Sequence, residues 1–210
     1  MQDATGLMAF FSDIEEDFVD EYRRWHNCEH MAERVAIPGF RQGLRYRGEA
    51  GAPMFLMLYE TDDTGVLASP AYHAALNAPT PWTKEALRHF RKPVRTIYGL
   101  SASAGMRPRF PAPYLAAVRF NGGSRTPEML CDWMKGAGVL RVRLWQVDEA
   151  VSGIMTSERR IYGGGPGQQQ YLLLCELAAP DAPVLHPEGA ADLFVDRFWL
   201  DFVLDAPGAS

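Results

Sequence analysis

Short apolar runs alternate along the chain with longer stretches of 3.6-residue period, and that alternation predicts the elements. Gly6–Ile14 (GLMAFFSDI) reads as a strand. A helical pattern follows from about Glu15 to Ala36 and is stopped by Pro38-Gly39. Phe40–Arg47 alternates in strand fashion and Pro53–Glu60 (PMFLMLYE) gives a third strand. Helical stretches over Thr64–Asn77 and Thr83–Arg91 precede a fourth strand near Val94–Ser101. The second half repeats the order. Pro113–Phe120 reads as a strand, and Thr126-Pro127-Glu128 starts a helix with Thr as N-cap and Pro at the first helical position. That helix ends near Gly136. Val139–Val147 and Tyr171–Leu177 are strands, a short helix is expected over Glu188–Leu193, and Arg197–Leu204 is the last strand.

Two β-α-β-β-α-β units in tandem predict an α+β fold of two ferredoxin-like halves. Each half has an open sheet face that needs cover, so the two sheets are expected to pack as a pseudo-dimeric α+β barrel within one chain. The boundaries fall at residues 1–103 and 113–210. The Pro-rich residues 104–112, within Ser103–Pro113 (SAGMRPRFPAP), form the linker. The segment Tyr162–Gln170 (YGGGPGQQQ) is a hairpin connection. It lacks the Lys and Ser/Thr of a phosphate loop.

Residues able to do chemistry concentrate on the first helix, in Trp25-His26-Asn27-Cys28-Glu29-His30. At about 100° per residue, Ile14, Phe18, Ala32 and Ala36 lie within about 20° of Trp25 and define the core stripe. Glu29 falls about 40° from Trp25, on that stripe, where a carboxylate is desolvated unless paired. His26 and His30 lie together on one flank, at about 100° and 140°, and Arg34 points nearly opposite. A buried-side carboxylate within one turn of two imidazoles supplies the groups for acid–base catalysis: His30, Glu29 and His26 are the candidate catalytic residues. Arg45 and Arg95 are both available to pair with Glu29 or with a substrate carboxylate. Trp25, Tyr46, Tyr59, Tyr72 and Trp82, the last on a Pro-fixed turn, are candidate pocket walls for a flat apolar ligand. The bland reading, a Glu paired with a strand Arg and two half-exposed His, stands beside this.

Two other chemistries compete. His26 to His30 matches H-x-x-E-H, the inverted zinc-protease motif, so His26 and His30 are the alternative metal ligands. Those enzymes take a third ligand, a Glu far downstream, and here no Asp or Glu occurs between Glu85 and Glu128. Haem is a further alternative, since His can be an axial ligand, although no C-x-x-C-H attachment motif is present. Cys28 lies on the flank opposite His26, which disfavours a Cys/His nucleophile. Cys131 and Cys175 read as core residues.

The stretch W-H-N-x-E-H-M-x-E-R-x-x-I-P-G-F (Trp25–Phe40) is followed by Arg45-Tyr46, Leu58-Tyr59-Glu60 and Ser69–Tyr72. Together they resemble the EthD-like branch of the dimeric α+β barrel superfamily. The resemblance covers the first half of the chain; the second shares only the order of elements. It implies a pocket between sheet and helices and a small, often aromatic or polyketide-like ligand. It also implies cofactor-free chemistry such as oxygenation, isomerisation, cyclisation or decarboxylation. In that family a ring residue, commonly Tyr, precedes the motif's Asn or Asp; here it is His26, so His30 and Glu29 are the stronger candidates.

Composition narrows the partners. Hydrophobic residues make up 47% and charged residues 22%, as in an ordinary globular protein. The net charge of −5 and the absence of a basic stripe argue against nucleic acid or an anionic membrane as partner. Three scattered Cys, an acidic N-terminus and no apolar stretch of membrane length fit a reducing, cytoplasmic location. The expectation is a cofactor-independent enzyme for a small molecule, monomeric or homodimeric. The alternatives are a non-catalytic metabolite or haem-binding protein and a metal-dependent enzyme.

Overall fold

A computed structural model describes residues 3–184 and 187–208. Among them, eight strands close into one antiparallel barrel in the order β1-β3-β2-β8-β5-β7-β6-β4. The strands are β1 (Gly6–Ile14), β2 (Phe40–Gly48), β3 (Phe55–Thr61), β4 (Phe90–Ala104), β5 (Tyr114–Gly122), β6 (Val139–Val147), β7 (Tyr171–Leu177) and β8 (Ala190–Asp205). Strands of the first half are neighbours in the order β4-β1-β3-β2, those of the second in the order β6-β7-β5-β8. Two seams, β2 with β8 and β4 with β6, join them. Closure leaves no free edge.

Strand alternation gives the sheet two apolar faces. Leu7, Ala9, Phe11, Leu56, Leu58 and Tyr98 fill the barrel with Leu115, Trp145, Leu172 and Phe198. The alternate residues, Met8, Phe10, Met57 and Tyr59, face outward under the helices. Those helices are α1 (Val19–Trp25), a π turn (His26–His30), α2 (Met31–Val35), α3 (Pro70–Asn77) and α4 (Pro81–Ala86). The second half adds α5 (Pro127–Trp133), α6 (Glu149–Gly153) and α7 (Ser157–Tyr162). The Thr126 side chain caps α5 by accepting from the Met129 N–H. Among the described residues no helix is long and apolar enough to cross a membrane.

The π turn corrects the helical wheel. The Met31 N–H bonds the His26 carbonyl, five residues back, so the turn holds one more residue than an α turn. Every later position is rotated by about 100°. Met31, Arg34 and Val35 therefore face inward and are buried, while Ala32 and Ala36, expected on the core stripe, are exposed.

Two other expectations are overturned, and the β6–β7 connection holds more than its expected loop. Residues 190–193 begin the long strand β8 instead of forming a helix. The β6–β7 connection carries α6 and α7, two short helices capped by Asp148 and Thr156. Their apolar residues pack on the first half. Cys131 is exposed, unlike the buried Cys175, whose thiol burial pushes up to about 12. His186 lies outside the described residues.

The rotated helix ranks substitutions in an order that an uninterrupted α-helix reverses. Met31→Ala should cost about 2–5 kcal/mol of stability to urea. Ala32→Gln should change it by no more than about 0.5 kcal/mol.

Candidate functional site

A cavity lies outside the barrel, between the outward face of β1, β3 and β4 and the covering helices. Its apolar walls include Met8, Phe10, Trp25, Met57, Leu76, Leu87 and Phe90. Its polar lining is His26, His30, Arg34, Tyr59, Tyr72, Arg95, Glu158 and Tyr162. The free volume is about 40 Å³, room for about three waters.

Of the residues singled out from sequence, Trp25, His26, His30, Tyr59 and Tyr72 meet here. Four do not. Glu29, expected to look toward the sheet, sits on the helix flank because the π turn moves it there. Its Oε1 accepts from Thr80 Oγ1 (2.5 Å) and Thr83 Oγ1 (3.0 Å), and Thr83 Oγ1 in turn accepts from Trp25 Nε1 (3.1 Å). No bond joins Glu29 to His30 among the described residues. Arg45 faces outward beyond the cavity and pairs with Asp201, not Glu29. Tyr46, one residue along β2, points the other way, into the barrel. Trp82 donates to Glu21 Oε1 (2.9 Å) under Arg24.

The H-x-x-E-H spacing does not assemble a metal-ligating set. The π turn separates Glu29 from the histidines, both ring nitrogens of His26 are already engaged, and among the described residues no three His, Cys, Asp or Glu cluster.

His26 is buried at 1% exposure between two elements of opposite role. Its Nδ1 faces Arg45 Nη1 at 3.1 Å and its Nε2 faces the Tyr59 hydroxyl at 3.3 Å. Arg45 Nη1 also donates to Asn27 Oδ1 (2.8 Å), and Arg45 Nε donates to Asp201 Oδ2 (2.7 Å). A guanidinium only donates, so His26 Nδ1 accepts and the ring's proton sits on Nε2. Burial, then the charges of Arg45 and Arg34, hold His26 well below the ordinary histidine range.

His30 stacks obliquely on Trp25, centroids 4.4 Å apart, with His26 at 5.7 Å. The residue keeps some exposed edge, but its Nδ1 is buried and has no hydrogen-bond partner among the described residues. Burial, then Arg34 and His26, keep this ring neutral as well. Burial also pushes the Tyr59 phenol far above its usual range, so it stays protonated.

The inward-facing Arg34 and its partner Glu158 were not expected from the sequence. Arg34 is 2% exposed and bonds the carboxylate of Glu158, itself 4% exposed, from α7. Arg95, one of the two cations expected to pair with Glu29 or a substrate carboxylate, does line the cavity and is 7% exposed. It donates from Nη2 to the Tyr72 hydroxyl (3.2 Å) and from Nε to Met8 Sδ (3.2 Å). No carboxylate lies in ion-pair range of it among the described residues. Two guanidiniums against one carboxylate leave the cavity lining with a net positive charge. The signals available were weak: Arg95 alternates outward on β4, and Thr156 opens α7 in N-cap fashion.

Glu158→Ala should strand the Arg34 charge and cost about 3–5 kcal/mol in urea unfolding. Arg34→Met with Glu158→Leu should recover most of that loss. The neutral histidines set a pH dependence. Their pKa values are depressed on folding, so below about pH 6.5 the unfolded chain binds protons that the folded chain does not. Stability is then lost as pH falls through that range, by up to about 1.4 kcal/mol per pH unit for each His. Unfolding of the protein and of His30→Gln at pH 7.5 and 5 should show the smaller pH dependence in the variant.

No family model and no curated protein matches the chain. Solved structures do. It aligns over 100% of its length with 96% of an anthrone oxidase-like protein, at 6% identity and a TM-score of 0.61. It aligns over 98% with 98% of a candidate monooxygenase from Fusobacterium nucleatum subsp. nucleatum, at 9% identity and 0.56. A third match, a candidate monooxygenase from Lactobacillus acidophilus NCFM, covers 96% of this chain and 97% of its own, at 9% identity and 0.53. The chain shares their fold.

Proposed function

We propose that this chain is a cofactor-independent enzyme that removes a proton from a small, partly aromatic or polyketide-like metabolite. We place it in the EthD-like branch, with residues 1–103 and 113–210 as tandem ferredoxin-like halves and one site per chain. The observation that carries the reading is His30, a neutral imidazole that lines a cavity of net positive charge and whose buried Nδ1 has no partner among the described residues. A neutral imidazole can accept a proton from an acidic C–H or O–H. The resulting enolate or phenolate develops beside Arg95, a cation with no carboxylate of its own. Isomerisation, cyclisation and cofactor-free oxygenation all start from such an anion. The names of the structural relatives favour oxygenation, in which the anion itself supplies the electrons to dioxygen. His26 is fixed by bonds at both nitrogens and serves as scaffold. Glu29 holds Thr83, and through it the Trp25 wall.

The free volume is too small for an aromatic ring, so a ligand enters by displacing a wall.

The test is deuterium exchange, followed by NMR in D2O, across a panel of aromatic and polyketide-like ketones and phenols with acidic C–H bonds. Exchange with at least one class is expected, at a rate that does not change with pH above about 6.5, where His30 is already neutral. His30→Ala should slow it by about 10²–10⁴-fold, while the exposed Cys28→Ser variant matches the parent. Equal rates for His30→Ala and the parent would remove His30 from the reaction.

A further inference from the structure

We infer that Tyr59 donates its phenolic O–H to an oxygen of the bound ligand, and that Asp201, Arg45 and His26 are positioning residues that aim this donor into the cavity. The inference rests on the cavity being a ligand site.

It follows from counting protons along one chain of bonds. Asp201, on β8 in the second half, accepts from Arg45 Nε at 2.7 Å. Arg45 Nη1 has two protons, one for Asn27 Oδ1 at 2.8 Å and one for His26 Nδ1 at 3.1 Å. Aromatic faces of Tyr22, Phe55 and Phe202, each 5.6 or 5.7 Å from the guanidinium carbon, hold it in place. His26 then carries its single proton on Nε2 and gives it to the Tyr59 oxygen, 3.3 Å away. The Tyr59 oxygen is therefore an acceptor toward His26, and its own proton must turn to the other in-plane position. No acceptor among the described residues takes that proton, and Tyr59 lines the cavity. The neighbouring hydroxyl differs: Tyr72 accepts from Arg95 and directs its proton at Met8 Sδ, 3.4 Å away. Tyr59 is thus left with an O–H donor satisfied only by what the cavity holds. A buried donor without an acceptor is costly, so the site favours a ligand presenting a carbonyl, enolate, phenolate or carboxylate oxygen there.

Two measurements on the full chain test this. Long-range ¹H–¹⁵N spectra of histidine-labelled protein at pH 7 should show His26 with a pyridine-type Nδ1 and a protonated Nε2. Arg45→Met should add an Nδ1–H population, because nothing then donates to Nδ1; if it does not fold, the parent spectrum still decides. A protonated Nδ1 in the parent overturns the inference, since Tyr59 would then be donating to His26. Second, acetate is titrated as a small oxyanion probe and followed at the Tyr72 ring signals, which report the same cavity. Tyr59→Phe should weaken acetate by about ten-fold or more while leaving the His26 tautomer unchanged. Equal affinity in both proteins, or no binding by the parent, overturns the donor role. A failed exchange test at His30 would leave the His26 tautomer as it is, whereas an Nδ1–H His26 with intact His30-dependent exchange would sink this inference alone.

Discussion

The single extra residue in the π turn at His26–His30 sets the terms for the rest of the site. An α-helix through the same residues would send Arg34 to solvent and leave Ala32 and Ala36 on the sheet. The π turn does the opposite. It brings His30, Met31 and Arg34 inward and moves Glu29 to the flank, where Thr80 and Thr83 receive its carboxylate. Thr80 is well placed for this because its hydroxyl already caps α4, accepting from the Thr83 N–H and donating to Glu29. Once Arg34 is inside, a buried carboxylate has to meet it, and Glu158 of α7 does so. The wall contributed by the second half is in this sense a consequence of one inserted residue in the first.

Two guanidiniums line the cavity and a third, Arg45, lies beyond it, and each is accommodated differently. Arg34 is neutralised by an ion pair, Arg45 is enclosed by three aromatic rings and one carboxylate, and Arg95 has a hydroxyl and a thioether. The same positive field keeps both histidines unprotonated. A protonated His26 would place two donors face to face with Arg45 Nη1, so the arrangement is stable only with a neutral ring. The electrostatics and the hydrogen-bond geometry therefore demand the same protonation state.

Much of the frame was legible in the sequence. Val139–Val147 and Tyr171–Leu177 match the strands residue for residue, since period-2 alternation and a largely apolar run between turns have few competing readings. Thr126-Pro127 capped its helix as its chemistry requires. The failures have physical causes. A wheel drawn at 100° per residue has no means of showing where a turn widens, so Glu29 and Arg34 exchanged places. The helices α6 and α7 are only one or two turns long and give too little periodicity to detect. Residues 190–193 look helical locally but are drawn into β8 by its pairing with β5. Glu158 and Asp201 reach the site across the barrel seams, and no local pattern announces a partner so far along the chain.

That distance has a consequence for how the protein is made. Arg34 and Glu158 are 124 residues apart, and Arg45 and Asp201 are 156 apart. At a synthesis rate of about 5–20 residues per second, Asp201 emerges some 8–30 s after Arg45. Through that interval the nascent first half carries arginines destined for burial with no counter-charge, and the edges of β2 and β4 lie open. Contacts of such long range also slow folding. The chain of bonds behind the cavity is among the last parts of the molecule to become whole, and a chain that stalls before β8 holds every histidine of the site but not the carboxylate that fixes Arg45 and, through it, the protons of His26 and Tyr59.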